Sequence, residues 1–96
     1  MPRGYIIGHV TVTDPEAYAE YVRLDTPIFE KYGGRFLVRG GRSETPEGAA
    51  KERHVVIEFP DYETARRCYF SEEYQKVAEI RKANALSDIV IVEGVG

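Results

Sequence analysis

Gly4-Tyr5-Ile6-Ile7-Gly8-His9-Val10-Thr11-Val12-Thr13-Asp14-Pro15-Glu16 passes without a spacer from strand composition into a helix start. Residues 4–12 carry β-branched and aromatic side chains with no helical punctuation and read as a strand. Thr13 or Asp14 can accept hydrogen bonds from the free N–H groups of a first helical turn, and Pro15 sets φ where no donor is needed. Glu16 completes a capping box with Thr13. The helix is expected to run to about Tyr32, because Tyr18, Tyr21, Val22, Ile28, Phe29 and Tyr32 recur at mostly helical spacing and Gly33-Gly34 supplies a left-handed stop.

The same logic extends to the C-terminus. Arg35 to Gly40 reads as a second strand and Arg53 to Phe59 as a third, joined by the polar segment Gly41 to Glu52. A connection of that length is either a lid or a tolerated insertion. Pro60-Asp61 closes the third strand and caps a short helix from Tyr62 to Tyr69, and Ser71 caps a further helical stretch through Glu72-Glu73-Tyr74. Ser87 to Val95, rich in Ile and Val, is the last strand. The order β-α-β-β-α-β is the ferredoxin-like motif: a single α+β domain over residues 1–96, with a four-stranded antiparallel sheet and helices on one face.

Composition narrows function by exclusion. Thirteen basic and 16 acidic residues give a net charge of −3, without the one-sided positive charge of a nucleic-acid-binding protein. The only cysteine, Cys68, permits no intrachain disulfide or CxxC centre, and a reducing cytoplasm is expected. No basic region leads into an apolar signal stretch and no run of 18 apolar residues occurs, so neither export nor membrane insertion is expected. Neither a dinucleotide-binding glycine motif nor a P-loop is present, so no cofactor is expected. His9 and His54 lie far apart in sequence and imply no metal site.

Alternation assigns each strand residue to a face. One set, Ile6, Val10, Val12, Phe36, Val38, Val55, Ile57, Phe59, Ile89 and Ile91, is wholly apolar and belongs against the helices. The other comprises Tyr5, Ile7, His9, Leu37, Arg39, His54, Val56, Glu58, Asp88, Val90 and Val92, and more than half of it is apolar or aromatic. Leaving that face wet forfeits on the order of 10 kcal/mol, so a second copy of the chain is expected to cover it. Arg39, His9, His54 and Glu58 on this face then need partners or a wet cavity. They form either an ion-pair network or a ligand site in which Arg39 binds an anionic oxygen and His9 or Glu58 handles a proton.

Several strings together, Tyr5-Ile6-Ile7-Gly8-His9-Val10-Thr11-Val12, Tyr32-Gly33-Gly34, Arg39-Gly40-Gly41, Glu47-Gly48, Val56-Ile57-Glu58-Phe59-Pro60, Ser71-Glu72-Glu73-Tyr74-Gln75 and Arg81, resemble the bacterial family labelled domain of unknown function 1330. The resemblance spans nearly the whole chain. It implies a ferredoxin-like fold of the dimeric α/β-barrel type and no established reaction. That family frequently has a tryptophan just before Tyr69, where this chain has Cys68. By wider analogy dimeric α/β barrels include cofactor-independent monooxygenases, lyases, isomerases and haem-degrading enzymes, and the last class lacks its helix-borne histidine here.

These readings converge on a homodimeric small-molecule-binding protein with one cavity per subunit between sheet and helices. Either it is a cofactor-independent enzyme acting on a small anionic or carbonyl-containing metabolite, or it is a non-catalytic structural or regulatory homodimer. In the enzymatic reading His9 and Glu58 are catalytic, Arg39 binds substrate, and Tyr18 and Tyr74 donate hydrogen bonds to it. Arg81 shares a helical face with Tyr74 and Val77, which implies a buried guanidinium. Covalent redox sensing at Cys68 is the remaining alternative.

Overall fold

A computed structural model describes residues 2–96. Its elements are β1 (Gly4–Val12), α1 (Pro15–Lys31), β2 (Arg35–Arg39), β3 (Arg53–Phe59), α2 (Tyr62–Tyr69), α3 (Glu72–Asn84) and β4 (Ala85–Glu93). The strands form one antiparallel sheet in the order β2-β3-β1-β4, with the helices on one face. This is the ferredoxin-like arrangement, its second helical region broken into α2 and α3.

Local chemistry accounts for the boundaries. The Asp14 carboxylate accepts from the Ala17 N–H at 3.2 Å, and Pro15 occupies the first turn of α1. At the other end Gly33, at φ 80°, donates to the Glu30 carbonyl at 2.9 Å while Gly34 donates to Phe29 at 2.8 Å, a Schellman closure that leaves the chain heading into β2. Asp61 caps α2 by accepting from the Thr64 N–H at 2.7 Å. Ser71 receives the Tyr74 N–H at 3.2 Å and donates to the Cys68 carbonyl at 2.7 Å, so its hydroxyl serves the break between α2 and α3. β4 begins two residues earlier than expected, because Ala85 leaves α3 already extended (φ −162°, ψ 156°) and pairs with Val12.

The core lies between sheet and helices, built on Ile6, Val10, Ile57 and Phe59 beneath Tyr18, Tyr21, Phe29, Tyr74 and Ala78. One strand departs from simple alternation. Between Phe36, opposite Ile57, and Val38, opposite Val56, β2 carries an extra residue, Leu37. This β-bulge exchanges the expected positions of two side chains: Val38 turns to the open face, and Arg39, opposite Val55, turns to the helix side.

With that exchange the open face is more apolar than alternation alone foretells. Val38, Val56, Ile7 and Val90 form a row across all four strands. Leu37, Val38, Leu86, Val90 and Val92 each keep 40% or more of their surface exposed.

Candidate active site

α1 places Tyr18, Tyr21, Val22, Asp25 and Phe29 along the stripe that faces the sheet. β1 contributes Ile6, Gly8 and Val10, β2 contributes Phe36 and Arg39, β3 contributes Arg53, Val55 and Ile57, and α3 closes the space with Tyr74 and Arg81. The result is a narrow cavity of about 30 Å³, lined chiefly by apolar and aromatic groups with a few polar tips.

Asp25 is the unusual member. It is 4% exposed, yet it stands on an apolar helix face. Burial raises its carboxyl from 3.8 to about 6, while the Thr26 hydroxyl, the Arg39 charge, Tyr21 and Arg53 each favour the ionised form and limit the rise. The Thr26 hydroxyl lies 3.1 Å from the Asp25 carboxylate and 2.8 Å from the Val22 carbonyl. Arg39 approaches the carboxylate at 3.8 Å, donates to the Thr26 hydroxyl, and stacks on the Phe36 ring at 3.8 Å. Its side chain keeps 34% of its surface exposed, so it stands at the cavity mouth.

Deeper in, the Tyr21 and Tyr74 hydroxyls share a hydrogen bond of 2.6 Å. Burial raises both phenols above their ordinary value, so they remain neutral donors at physiological pH. Arg53 extends over the Tyr18 ring at 5.4 Å. A carboxylate that ionises near neutrality, guanidinium groups and phenol donors within an apolar cleft form a set able to accept a proton and hold an oxyanion.

The five side chains singled out from the sequence are divided by the sheet. Arg39, Tyr18 and Tyr74 line the cavity. His9 and Glu58 lie on the opposite face, about 13 Å apart along the strands, and cannot act with Arg39. Glu58 accepts from the Tyr5 hydroxyl at 3.1 Å and from Arg35 at 3.2 Å, and the His9 and His54 rings share a 2.8 Å Nδ1–Nδ1 hydrogen bond. The single functional face expected for Arg39, His9 and Glu58 is therefore corrected, and the bulge at Leu37 is the physical reason.

Asp25 and Arg53 also line the cavity, although the sequence pattern had not marked them out. Asp25 was detectable: it lies four residues from both Tyr21 and Phe29, on the stripe that must face the core. The long connection from Gly41 to Glu52 contributes no residue to the wall of this cavity. Its end, Ala49 to Lys51, lines a hollow on the open face with His9 and Asp88, and Lys51 pairs with Asp88. Cys68 is wholly buried, and burial pushes its thiol up to about 12, which suits packing and not redox chemistry.

Element order and strand order define a ferredoxin-like α+β domain. A family model described as a domain of unknown function (DUF1330) matches residues 3–95, and the chain belongs to that family. A search of the curated proteins finds no match.

Among solved structures, a Rhodopseudomonas palustris protein of unknown function is 18% identical with a TM-score of 0.79, over 99% of this chain and 84% of that one. SnoaB, a cofactor-independent oxygenase from Streptomyces nogalater, is 14% identical with a TM-score of 0.68, over 100% of this chain and 96% of that one. An EthD-family protein from Bacillus halodurans is 18% identical with a TM-score of 0.60, over 99% of this chain and all of that one (100%). At such identities these likenesses bear on the fold alone. No helix among the described residues is long and apolar enough to cross a membrane.

Proposed function

We propose that the protein binds a small carbonyl-containing anion between sheet and helices and moves a proton on it without a cofactor, with Asp25 as the general base. The observation that carries this reading is Asp25 itself: a carboxylate 4% exposed, ionising at about 6, on the wall of an aromatic cavity. In the reaction a C–H bond next to the substrate carbonyl breaks, its proton passes to the Asp25 carboxylate, and the electron pair moves onto the carbonyl oxygen as an enolate. Arg39, 3.8 Å from that carboxylate, supplies the positive charge for the enolate oxygen. Return of the proton completes an isomerisation or exchange and needs no co-reactant.

The working unit in this proposal is a homodimer. The row Val38–Val56–Ile7–Val90 and its exposed neighbours form an apolar surface that a second copy covers by pairing like patch with like. The non-catalytic reading retains one supporting observation: Glu58 is already held by Tyr5 and Arg35, as register-setting polar groups would be.

Proton exchange distinguishes the two readings. A panel of 2-oxo acids, phenylpyruvate among them, is incubated with the protein in deuterium oxide, and loss of the hydrogens next to the carbonyl is followed by NMR. Accelerated exchange that disappears in Asp25→Asn supports the enzymatic reading; absence of acceleration across the panel overturns it.

A further inference from the structure

Arg81 is 4% exposed and makes no ion pair among the described residues. Its surroundings are phenols: one guanidinium nitrogen lies 3.5 Å from the Tyr69 hydroxyl, and the group sits 5.7 Å from the centre of the Tyr21 ring. Its Nε is buried without any acceptor. A charge held this deep is normally paired with a carboxylate or with several acceptors, because otherwise its lost hydration goes uncompensated.

A second orphan lies close by. The Ser87 hydroxyl, on the helix side of β4, is also buried with no partner. Ser87 and Arg81 line the same hollow, together with Tyr69, Lys82, Ala85, Leu86 and Ile89. Arg81 and Ile89 also belong to the wall of the central cavity, so the hollow adjoins it at the end formed by α3 and β4. A lone water would satisfy one or two of these donors but leave the guanidinium charge unbalanced. An anion answers both needs, and a planar carboxylate suits a guanidinium fork flanked by hydroxyl donors.

We infer that Arg81 and Ser87, with the Tyr69 hydroxyl, seat the carboxylate of the cavity ligand, so that the ligand is a carboxylic acid with its anionic end beside β4 and its reactive end against Asp25. The inference rests on the proposed function for the location of that reactive end. It does not rest on Asp25 for the binding of the acid group.

The test uses benzoate and its neutral isostere benzamide, with chloride and inorganic phosphate as further arms, followed by NMR shifts of Ile89 and Tyr69 in the full chain. Benzoate is expected to bind and benzamide not. Ser87→Ala is expected to weaken benzoate about tenfold, Arg81→Gln to abolish its binding, and Arg81→Lys to restore it in part. Ser87→Ala keeps the test decisive if the Arg81 variants fail to fold. Asp25→Asn is expected to leave benzoate binding in place, and a wild-type protein that binds benzoate but accelerates no proton exchange is a failure of the general-base reading alone. No benzoate binding, equal binding of benzamide, unchanged affinity in Ser87→Ala, or the same response to chloride or phosphate alone would each overturn the carboxylate seat.

Discussion

Arg39 stands 3.8 Å from the Asp25 carboxylate because Leu37, two residues earlier, is the extra residue of a β-bulge. In unbroken alternation Arg39 would project from the other side of the sheet, and Asp25 would lack one of the two strand-borne cations that help keep it ionised. The bulge therefore tunes the carboxylate as well as shaping the edge strand.

The first prediction follows from that pairing. Arg39→Gln removes a charge that favours the ionised form of Asp25, so the carboxyl is expected to titrate above its value of about 6. A carbon-13 NMR titration of the Asp25 carboxyl in wild type and variant reads the change directly. An unchanged or lower value would separate Arg39 from the tuning of Asp25.

Asp25 should also leave a signature in stability. Its carboxyl is raised from 3.8 to about 6 on folding, so between those values the folded chain retains a proton that the unfolded chain releases. The associated stability is fully present below about 3.8 and is lost as pH rises through about 6, an interval worth about 3 kcal/mol. Asp25→Asn has no such titration. Its stability relative to wild type is expected to be about 3 kcal/mol more favourable at pH 8 than at pH 3, measured by urea unfolding across that range. A pH-independent difference between the two proteins would contradict the raised carboxyl.

Much of the architecture was legible because each turn is written in residues with one conformational use. Thr13-Asp14-Pro15 starts a helix, Gly33-Gly34 stops it, and Pro60-Asp61 and Ser71 mark the next two boundaries. The face assignment agrees with the structure for β1, β3 and β4 and fails at the end of β2, since Arg35-Phe36-Leu37-Val38-Arg39 sets three apolar residues between two arginines and nothing in it marks a bulge. The bulge is favoured by contacts distant in sequence: Arg39 gains Asp25 and Thr26 on α1, while Val38 joins Val56, Ile7 and Val90. Those partners appear only once the strands are paired. Asp25 went unread for a different reason, as an acidic residue on an apolar stripe is easily treated as a break in the pattern.

The apolar row on the open face gives a prediction about assembly. Val90 is 47% exposed and stands beside Ile7 at the row's outer end. Val90→Glu on a free surface would change stability by no more than about 0.5 kcal/mol, but in a covered face it buries a charge with no partner. Wild type is expected to sediment as a homodimer and Val90→Glu as a folded monomer at micromolar concentration. A wild-type monomer, or a variant dimer of undiminished affinity, would mean that this face is not the seam.

Gly8 offers a way to close the cavity without altering any of its charged or phenolic groups. It lies on the cavity wall at the middle of β1, where an added Cβ would meet the Ile89 Cδ1 at 3.3 Å and the Val55 Cβ at 4.0 Å, both ordinary or slightly tight contacts with movable side chains. Valine is favoured over glycine in a strand, which offsets part of the cost of shifting Ile89. Gly8→Val is therefore expected to fold with a melting temperature within a few degrees of wild type while filling the space between β1 and Tyr21. Exchange on phenylpyruvate should then fall at least tenfold with the Asp25 carboxyl still in place, because the substrate no longer fits beside it. If exchange continues at the wild-type rate in a folded Gly8→Val protein, the chemistry takes place outside this cavity.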